Sequence, residues 1–164
     1  MQMLDIIKNK ILDLETLGRW IAYWRFHSKK IVFTNGCFDI LHLGHIDYLS
    51  KAHDAGDILI VGMNSDASTK LLKGKNRPVN NQESRSVLLA SLHFVDAVVI
   101  FNEDTPYKLI QFIRPDVLVK GGDYKTEEIA GYDIVQKNGG KVITIDLLEG
   151  YSTSGIEARI RDEK

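Results

Sequence analysis

The chain has 164 residues, 44% of them hydrophobic and 26% charged, with a net charge of −1. That is enough for one globular domain with its own core, and the near-neutral balance argues against a nucleic-acid binder, which needs a basic surface. A single cysteine excludes an intrachain disulfide and any multi-cysteine metal site, and fits a reducing compartment.

Taken in chain order, Met1 to Asp5 lacks a basic region followed by an apolar core, so no signal peptide is expected. No apolar run reaches the roughly 18–20 residues of a membrane span, and the expected location is cytoplasmic. Residues 1–30 read as an amphipathic helical extension packed on the domain that fills 31–164. Its Leu17, Trp20, Ile21 and Trp24 share one helical face, for packing on a sheet or, alternatively, for a homodimer contact. Ile31-Val32-Phe33-Thr34 predicts a short buried strand. A glycine turn follows, and Ile46, Leu49 and Ala52 then recur at helical spacing.

Ile58 to Met63 is apolar without alternation, as in a parallel strand covered on both faces. Asn64-Ser65-Asp66 leads into a polar loop that runs through Lys70 to Pro78. Residues 81–92 read as a helix and 95–101 as a third strand. Residues 106–113 read as a helix with Thr105 as N-cap and Pro106 at its first position. Pro115 disfavours helical geometry at Arg114. A fourth strand at 116–119, a loop at 120–124 and a helix over 127–136 follow, the helix capped by Asn138-Gly139-Gly140. Residues 142–145 make a fifth strand and 152–160 a last helix.

Alternating strands and helices with short connections imply an α/β fold: a single-domain, Rossmann-like, doubly wound parallel sheet of five strands. Ligands of such sheets bind beyond the carboxyl ends of the strands, so the residues after each strand outline the site. The first strand delivers Asn35 to His45, the second Asn64-Ser65-Asp66, the fourth Lys120 to Tyr124 and the fifth Glu149 to Ser154.

His42-Leu43-Gly44-His45 sits where a strand becomes a helix, where free backbone N–H groups and the macrodipole favour phosphate. One helix-capping and one core histidine is the structural alternative. Zinc would need a third ligand, which His27, His53 and His93 are not placed to give. Lys70, Lys73, Lys75 and Arg77 put four cations into eight residues, either a solvated loop or a mobile one that closes on a polyphosphate. Lys120-Gly121-Gly122-Asp123-Tyr124 allows close backbone approach to a ligand, though a plain turn accounts for it equally. Ser152, Thr153 and Ser154 are helix caps that double as donors to anionic oxygens. Cys37 lacks a visible base and orienting partner for a nucleophilic role. A Gly-x-Gly-x-x-Gly fingerprint and a Walker A sequence are both missing from the chain.

Asn35-Gly36-Cys37-Phe38-Asp39 with His42-Leu43-Gly44-His45 resembles the signature of the cytidylyltransferase-like nucleotidyltransferases. Tyr151-Ser152-Thr153-Ser154-Gly155-Ile156 resembles their second signature, Ile-Ser-Ser-Thr-x-Ile-Arg. Over about residues 30–160 the chain is most similar to the D-glycero-D-manno-heptose 1-phosphate adenylyltransferases, in a stand-alone form that would need a separate sugar kinase upstream. The match rests on Thr34 to Leu49, 64–68, 73–80 and 119–124.

The resemblance implies that 31–164 is a nucleotidyltransferase domain. It would transfer AMP from ATP to a sugar 1-phosphate, releasing pyrophosphate without a covalent intermediate. His42, His45 and Lys73 would be catalytic. Asn35, Gly36, Cys37, Phe38, Gly44, His45, Lys120, Gly122, Asp123, Ser152, Thr153 and Ser154 would bind nucleotide. Asp39, Lys75, Arg77 and Arg85 would bind substrate, Asp39 by orienting the sugar phosphate or the loop and Arg85 by reaching the phosphates. Mg²⁺ would be held mainly through the ATP phosphates rather than by protein ligands, and neither nucleic acid nor membrane would be a partner. The family's terminal arginine falls at Glu157, which shifts its work to Lys73 and Arg85. An arginine that the glycerol-3-phosphate cytidylyltransferases carry falls at Leu147, which weakens that alternative. A nucleotide-binding module without turnover is the remaining one.

Overall fold

The computed structural model describes residues 2–122 and 124–162. Its strands are β1 (Ile31–Gly36), β2 (Ile58–Asn64), β3 (Ala97–Phe101), β4 (Val117–Gly121) and β5 (Lys141–Ile145). They form one parallel sheet in the order β3-β2-β1-β4-β5. From β1 the chain steps outward through β2 to β3, then crosses back to β4 on the other side. The switch point therefore lies between β1 and β4, where Val32 pairs with Val117 and Phe33 with Leu118.

The period of two in β1 sends successive side chains to opposite faces, and helices cover both. Ile31 and Phe33 join Leu17, Ile21 and Trp24 of α2 (Leu14–Phe26), Leu109, Ile110 and Ile113 of α6 (Tyr107–Ile113), and Val135 of α7 (Tyr132–Lys137). Val32 joins Leu49 and Ala52 of α3 (Leu43–His53), with Leu89 and Ala90 of α5 (Gln82–Ala90). Each buried Val, Leu, Ile or Phe among them contributes roughly 1.5–3 kcal/mol of transfer free energy. The doubly wound arrangement is the one expected.

The N-terminal segment packs on the domain at two places. Three residues of α2 lie in the core, while Trp20 stays at the rim, 43% exposed, stacked on Trp24 with ring centroids 5.6 Å apart. After α1 (Met3–Lys8), Ile11 bridges to Val98, with Leu12 N donating to Val98 O at 2.9 Å. That bridge covers the outer edge of β3, which would otherwise present unpaired backbone groups.

Three local expectations are corrected. The polar segment expected from Lys70 to Pro78 does not begin as a loop: Lys70 to Lys73 are the last residues of a helix, α4 (Asp66–Lys73), whose N-cap Ser65 accepts from Ser68 N at 3.2 Å. Its buried residues are Ser68 and Thr69, so no apolar period advertises it. The helix expected over 127–136 is a 3-10 turn (Thr126–Glu128) followed by α7, broken at Gly131, which sits at φ 90°. Pro106 is the N-cap of α6 rather than its first residue. The end of α7 is as expected: Gly139 N donates to Gln136 O and Gly140 N to Val135 O, a Schellman cap. The last helix, α8, runs Thr153–Asp162.

Candidate active site

β1 ends at Gly36, and six residues later His42 is the extended N-cap of α3. Its carbonyl accepts from His45 N at 2.9 Å, but its ring does not cap the helix. Instead the His42 ring stacks on that of His45, centroids 3.9 Å apart, and Phe38 meets His45 edge-on at 5.4 Å. Both Nδ1 atoms are buried with no hydrogen-bond partner. Gly44 permits this packing. A Cβ there would lie 3.1 Å from the His42 ring and 3.2 Å from Tyr151 Cβ.

Burial lowers the pKa of His42. Burial and the neighbouring His42 together lower that of His45 to about 4. Both rings are therefore neutral at pH 7, and each carries one N–H donor.

α3 is held at this position from below. Tyr48 is buried, its hydroxyl 2.5 Å from Thr34 Oγ1 and 3.3 Å from Val119 O, so the helix is tied to β1 and β4 across the switch point. Burial pushes the Tyr48 hydroxyl up to about 12, which keeps it protonated and able to donate.

Asp39 fixes the opposite wall. Its carboxylate accepts from Val79 N at 2.8 Å, Asn80 N at 2.9 Å and Arg77 Nη1 at 2.8 Å, tying the first loop to the basic segment. Burial alone would raise the Asp39 pKa, but the Asn80 and Val79 N–H groups and Arg77 outweigh it, and the net shift is downward. Arg77 also pairs with Glu157 of α8. At the position where the resembled signature carries arginine, this chain therefore places a carboxylate that holds a guanidinium delivered from the 74–80 loop.

Beyond the strand ends lies a cavity in two lobes. The first, about 350 Å³, is lined by Cys37, Phe38, Asp39, His45, Lys73, Arg77, Thr153 and Ser154. The second, about 370 Å³, is lined by Asn35, Gly36, Cys37, Asn64, Leu72, Lys73, Asp104, Thr105, Pro106, Lys120 and Ala130. Cys37 and Lys73 belong to both. Lys120 Nζ lies 3.5 Å from Asn35 Oδ1, and burial, followed by the nearby Lys73 charge, lowers its pKa. A further concavity between α6 and α7, about 380 Å³, contains none of the motif residues.

Most of the residues expected at the site meet here, and several do not. Lys75 is exposed and faces a separate outer depression with Lys70 and Pro78. Gly122 forms the turn after β4 at φ 100°. Ser152 caps α8, its Oγ accepting from Gly155 N at 3.0 Å. Asp123 lies outside the described residues. Arg85 is the main departure. Instead of reaching for phosphate it is completely buried, donating to Asn80 O, Cys37 O, Asn64 O and the Asp66 carboxylate.

Sequence reasoning missed Asp104, Thr105 and Pro106, which follow β3. They lie beyond the carboxyl end of β3, so the signal that marks them is the same strand-end position that marks the other loops.

Donors and cations that converge on one bipartite cavity at a switch point suit a phosphoryl group in transit, the requirement of nucleotidyl transfer. Comparison with known proteins agrees. The cytidylyltransferase-like family matches residues 33–159; the chain belongs to that family and is a nucleotidyltransferase. It is similar to the bifunctional protein HldE of Campylobacter concisus, 60% identical over 157 residues, and to that of Wolinella succinogenes, 52% identical over 154. These alignments cover 96% and 94% of the chain, which spans 32% of each relative's length.

Among solved structures, the lipopolysaccharide core biosynthesis protein of Thermoplasma volcanium superposes with TM-score 0.60 at 33% identity, covering 76% of this chain and 99% of that one. A pantoate-beta-alanine ligase of Francisella tularensis, at 19% identity and TM-score 0.60 with 92% of this chain and 76% of that one covered, shares the fold. No helix among the described residues is long and apolar enough to cross a membrane.

Proposed function

We propose that the chain transfers AMP from ATP to D-glycero-D-manno-heptose 1-phosphate, giving ADP-heptose and pyrophosphate. The observation that carries the transfer step is the stacked His42–His45 pair beside a lobe ringed by Lys73, Arg77, Thr153 and Ser154. The likeness to HldE proteins and to a lipopolysaccharide core biosynthesis protein supports a heptose acceptor.

The first lobe suits the nucleotide: Phe38 and His45 offer ring faces, Lys73 and Arg77 cations, and Thr153 and Ser154 hydroxyls at a helix start. The second suits a phosphorylated polyol. Asp104, Thr105, Asn35 and Asn64 can bond hydroxyls, and Lys120 can hold a phosphate.

An acceptor phosphate oxygen attacks the α-phosphorus, the bond to the bridging oxygen breaks, and pyrophosphate leaves carrying the electron pair. Neutral imidazole N–H groups donate to the α-phosphate oxygens as their charge rises. Lys73, at the seam of the lobes, stabilises negative charge on both sides.

Among the described residues no three His, Cys, Asp or Glu side chains converge to hold a metal. Mg²⁺ would enter on the triphosphate and would neutralise charge on the leaving group there.

Pyrophosphate release is measured with ATP or CTP and with heptose 1-phosphate or glycerol 3-phosphate. Turnover with ATP and the heptose phosphate is the expected result. Release with CTP alone would make the chain a cytidylyltransferase, and no release with any pair would make it a binding module.

A further inference from the structure

An ion pair beside the first lobe joins two segments that lie far apart in sequence. Arg77 comes from the loop between α4 and α5, and Glu157 from the second turn of α8. Their side chains are 19% and 21% exposed, far less than the 49–80% typical of the lysines in this chain's surface pairs. No described residue of α8 is fully buried, so the helix lacks the apolar anchorage that holds α2, α3 and α5. Its N-terminal Thr153 and Ser154 nevertheless line the lobe.

Arg77 is held on two sides. One terminal nitrogen bonds Asp39, which is itself clamped by two backbone N–H groups, and the other pairs with Glu157. Guanidinium has five N–H donors in a fixed plane. Two monodentate carboxylate contacts set the orientation of that plane and leave three donors over.

We infer that Glu157 is a positioning residue that acts through Arg77: it fixes the guanidinium toward the nucleotide lobe and latches α8, with its Thr153 and Ser154 hydroxyls, over it. This rests on the reading of the lobe as a nucleotide site. Glu157 itself does not line the lobe. A carboxylate beside a polyphosphate would ordinarily repel it, and here the charge is spent on the arginine.

The latch makes the effects of the two residues dependent on each other, which separates it from two independent contributions. Four proteins are compared: wild type, Glu157→Ala, Arg77→Ala and the double variant. Amide hydrogen exchange over 74–80 and 153–162 is followed without ligand, and Mg-ATP affinity is measured by calorimetry. Each single variant should speed exchange in both segments about tenfold, and the double variant no further. Glu157→Ala should weaken Mg-ATP about tenfold and Arg77→Ala somewhat more, with the double variant matching Arg77→Ala. Glu157→Gln keeps an acceptor for Arg77 and should lose only about threefold. At saturating substrates kcat should fall less than about threefold in Glu157→Ala, because the loss is one of binding.

Unchanged exchange in α8, or affinity losses that multiply in the double variant, would overturn the latch. If wild-type protein fails to bind Mg-ATP, the nucleotide reading fails instead, and the exchange comparison in the free protein still decides the latch.

Discussion

His42 and His45 stack with ring centroids 3.9 Å apart and planes 28° from parallel, each with its Nδ1 buried and without a protein partner. Two imidazolium ions at that distance would repel strongly, so the pair is built to be neutral. Each neutral ring keeps one N–H donor for a phosphate oxygen. The two buried Nδ1 atoms are left without a partner, a polar cost carried inside the fold.

The first consequence is a pH dependence of stability. The folded pKa of His45 is about 4, below the 6.5 of an unfolded histidine, so between these values the unfolded chain binds more protons. The stability His45 contributes is fully present above pH 6.5 and is lost as the pH falls toward 4. After allowance for its partial exposure the loss is on the order of 1–3 kcal/mol. Urea unfolding at pH 7 and pH 4.5 should show a smaller difference for His45→Gln than for wild type. Equal differences would mean that His45 is not desolvated in the folded protein.

The second consequence concerns turnover. His45→Ala should lower kcat about 10²–10³-fold with Mg-ATP affinity nearly kept, since the donor works chiefly on charge that develops in transit. Lys73→Ala should differ in kind, because Lys73 lines both lobes. Its loss should raise KM for the nucleotide and for the acceptor as well as lower kcat. Steady-state kinetics with each substrate varied in turn separates these patterns, and a Lys73 effect confined to one substrate would place that lysine in one lobe only.

The sheet was legible because its strands carry unbroken apolar runs between glycine, proline and asparagine, and the five strands lie close to where those runs are. The site was legible where a strand end, a glycine and a helix start adjoin in sequence, as from Asn35 to His45. It was not legible where chemistry depends on long-range pairing. Arg85 lies in a polar helix after a basic loop, and local sequence cannot tell whether a cation there meets a ligand or three backbone carbonyls. The pairing of Arg77 with Glu157 spans 80 positions and carries no local period. Helix α4 escaped because its buried side is Ser68 and Thr69.

Gly131 illustrates how a single backbone position broke an expected helix. It lies at φ 90°, and a Cβ there would come within 2.7 Å of Ile110 Cδ1. Gly131→Ala is therefore strained in its backbone and crowded against α6, and should destabilise the protein by about 1–3 kcal/mol. Thermal unfolding checks this. A neutral substitution would show that the turn before α7 can relax into a continuous helix.

Arg85 provides the sharpest separation of a structural from a phosphate-binding role. Its guanidinium donates to Asn80 O at 3.0 Å, Asn64 O at 2.9 Å and Asp66 Oδ1 at 2.7 Å, and also to Cys37 O. These acceptors belong to the loop after β1, the end of β2, the start of α4 and the residue before α5's cap, so one side chain joins four segments. Arg85→Met would fill much of the volume but remove the guanidinium donors from three backbone carbonyls and the Asp66 carboxylate, at a cost of about 3–5 kcal/mol. Arg85→Lys would keep the charge and one or two of the bonds, and should fall between. Chemical denaturation of the three proteins gives the stabilities, and Mg-ATP titration of the folded fraction gives the affinities. The structure predicts a large loss of stability for Met with affinity changing only as the loop geometry loosens. A Met variant as stable as wild type but unable to bind Mg-ATP would return Arg85 to the phosphate-binding role suggested by its sequence position.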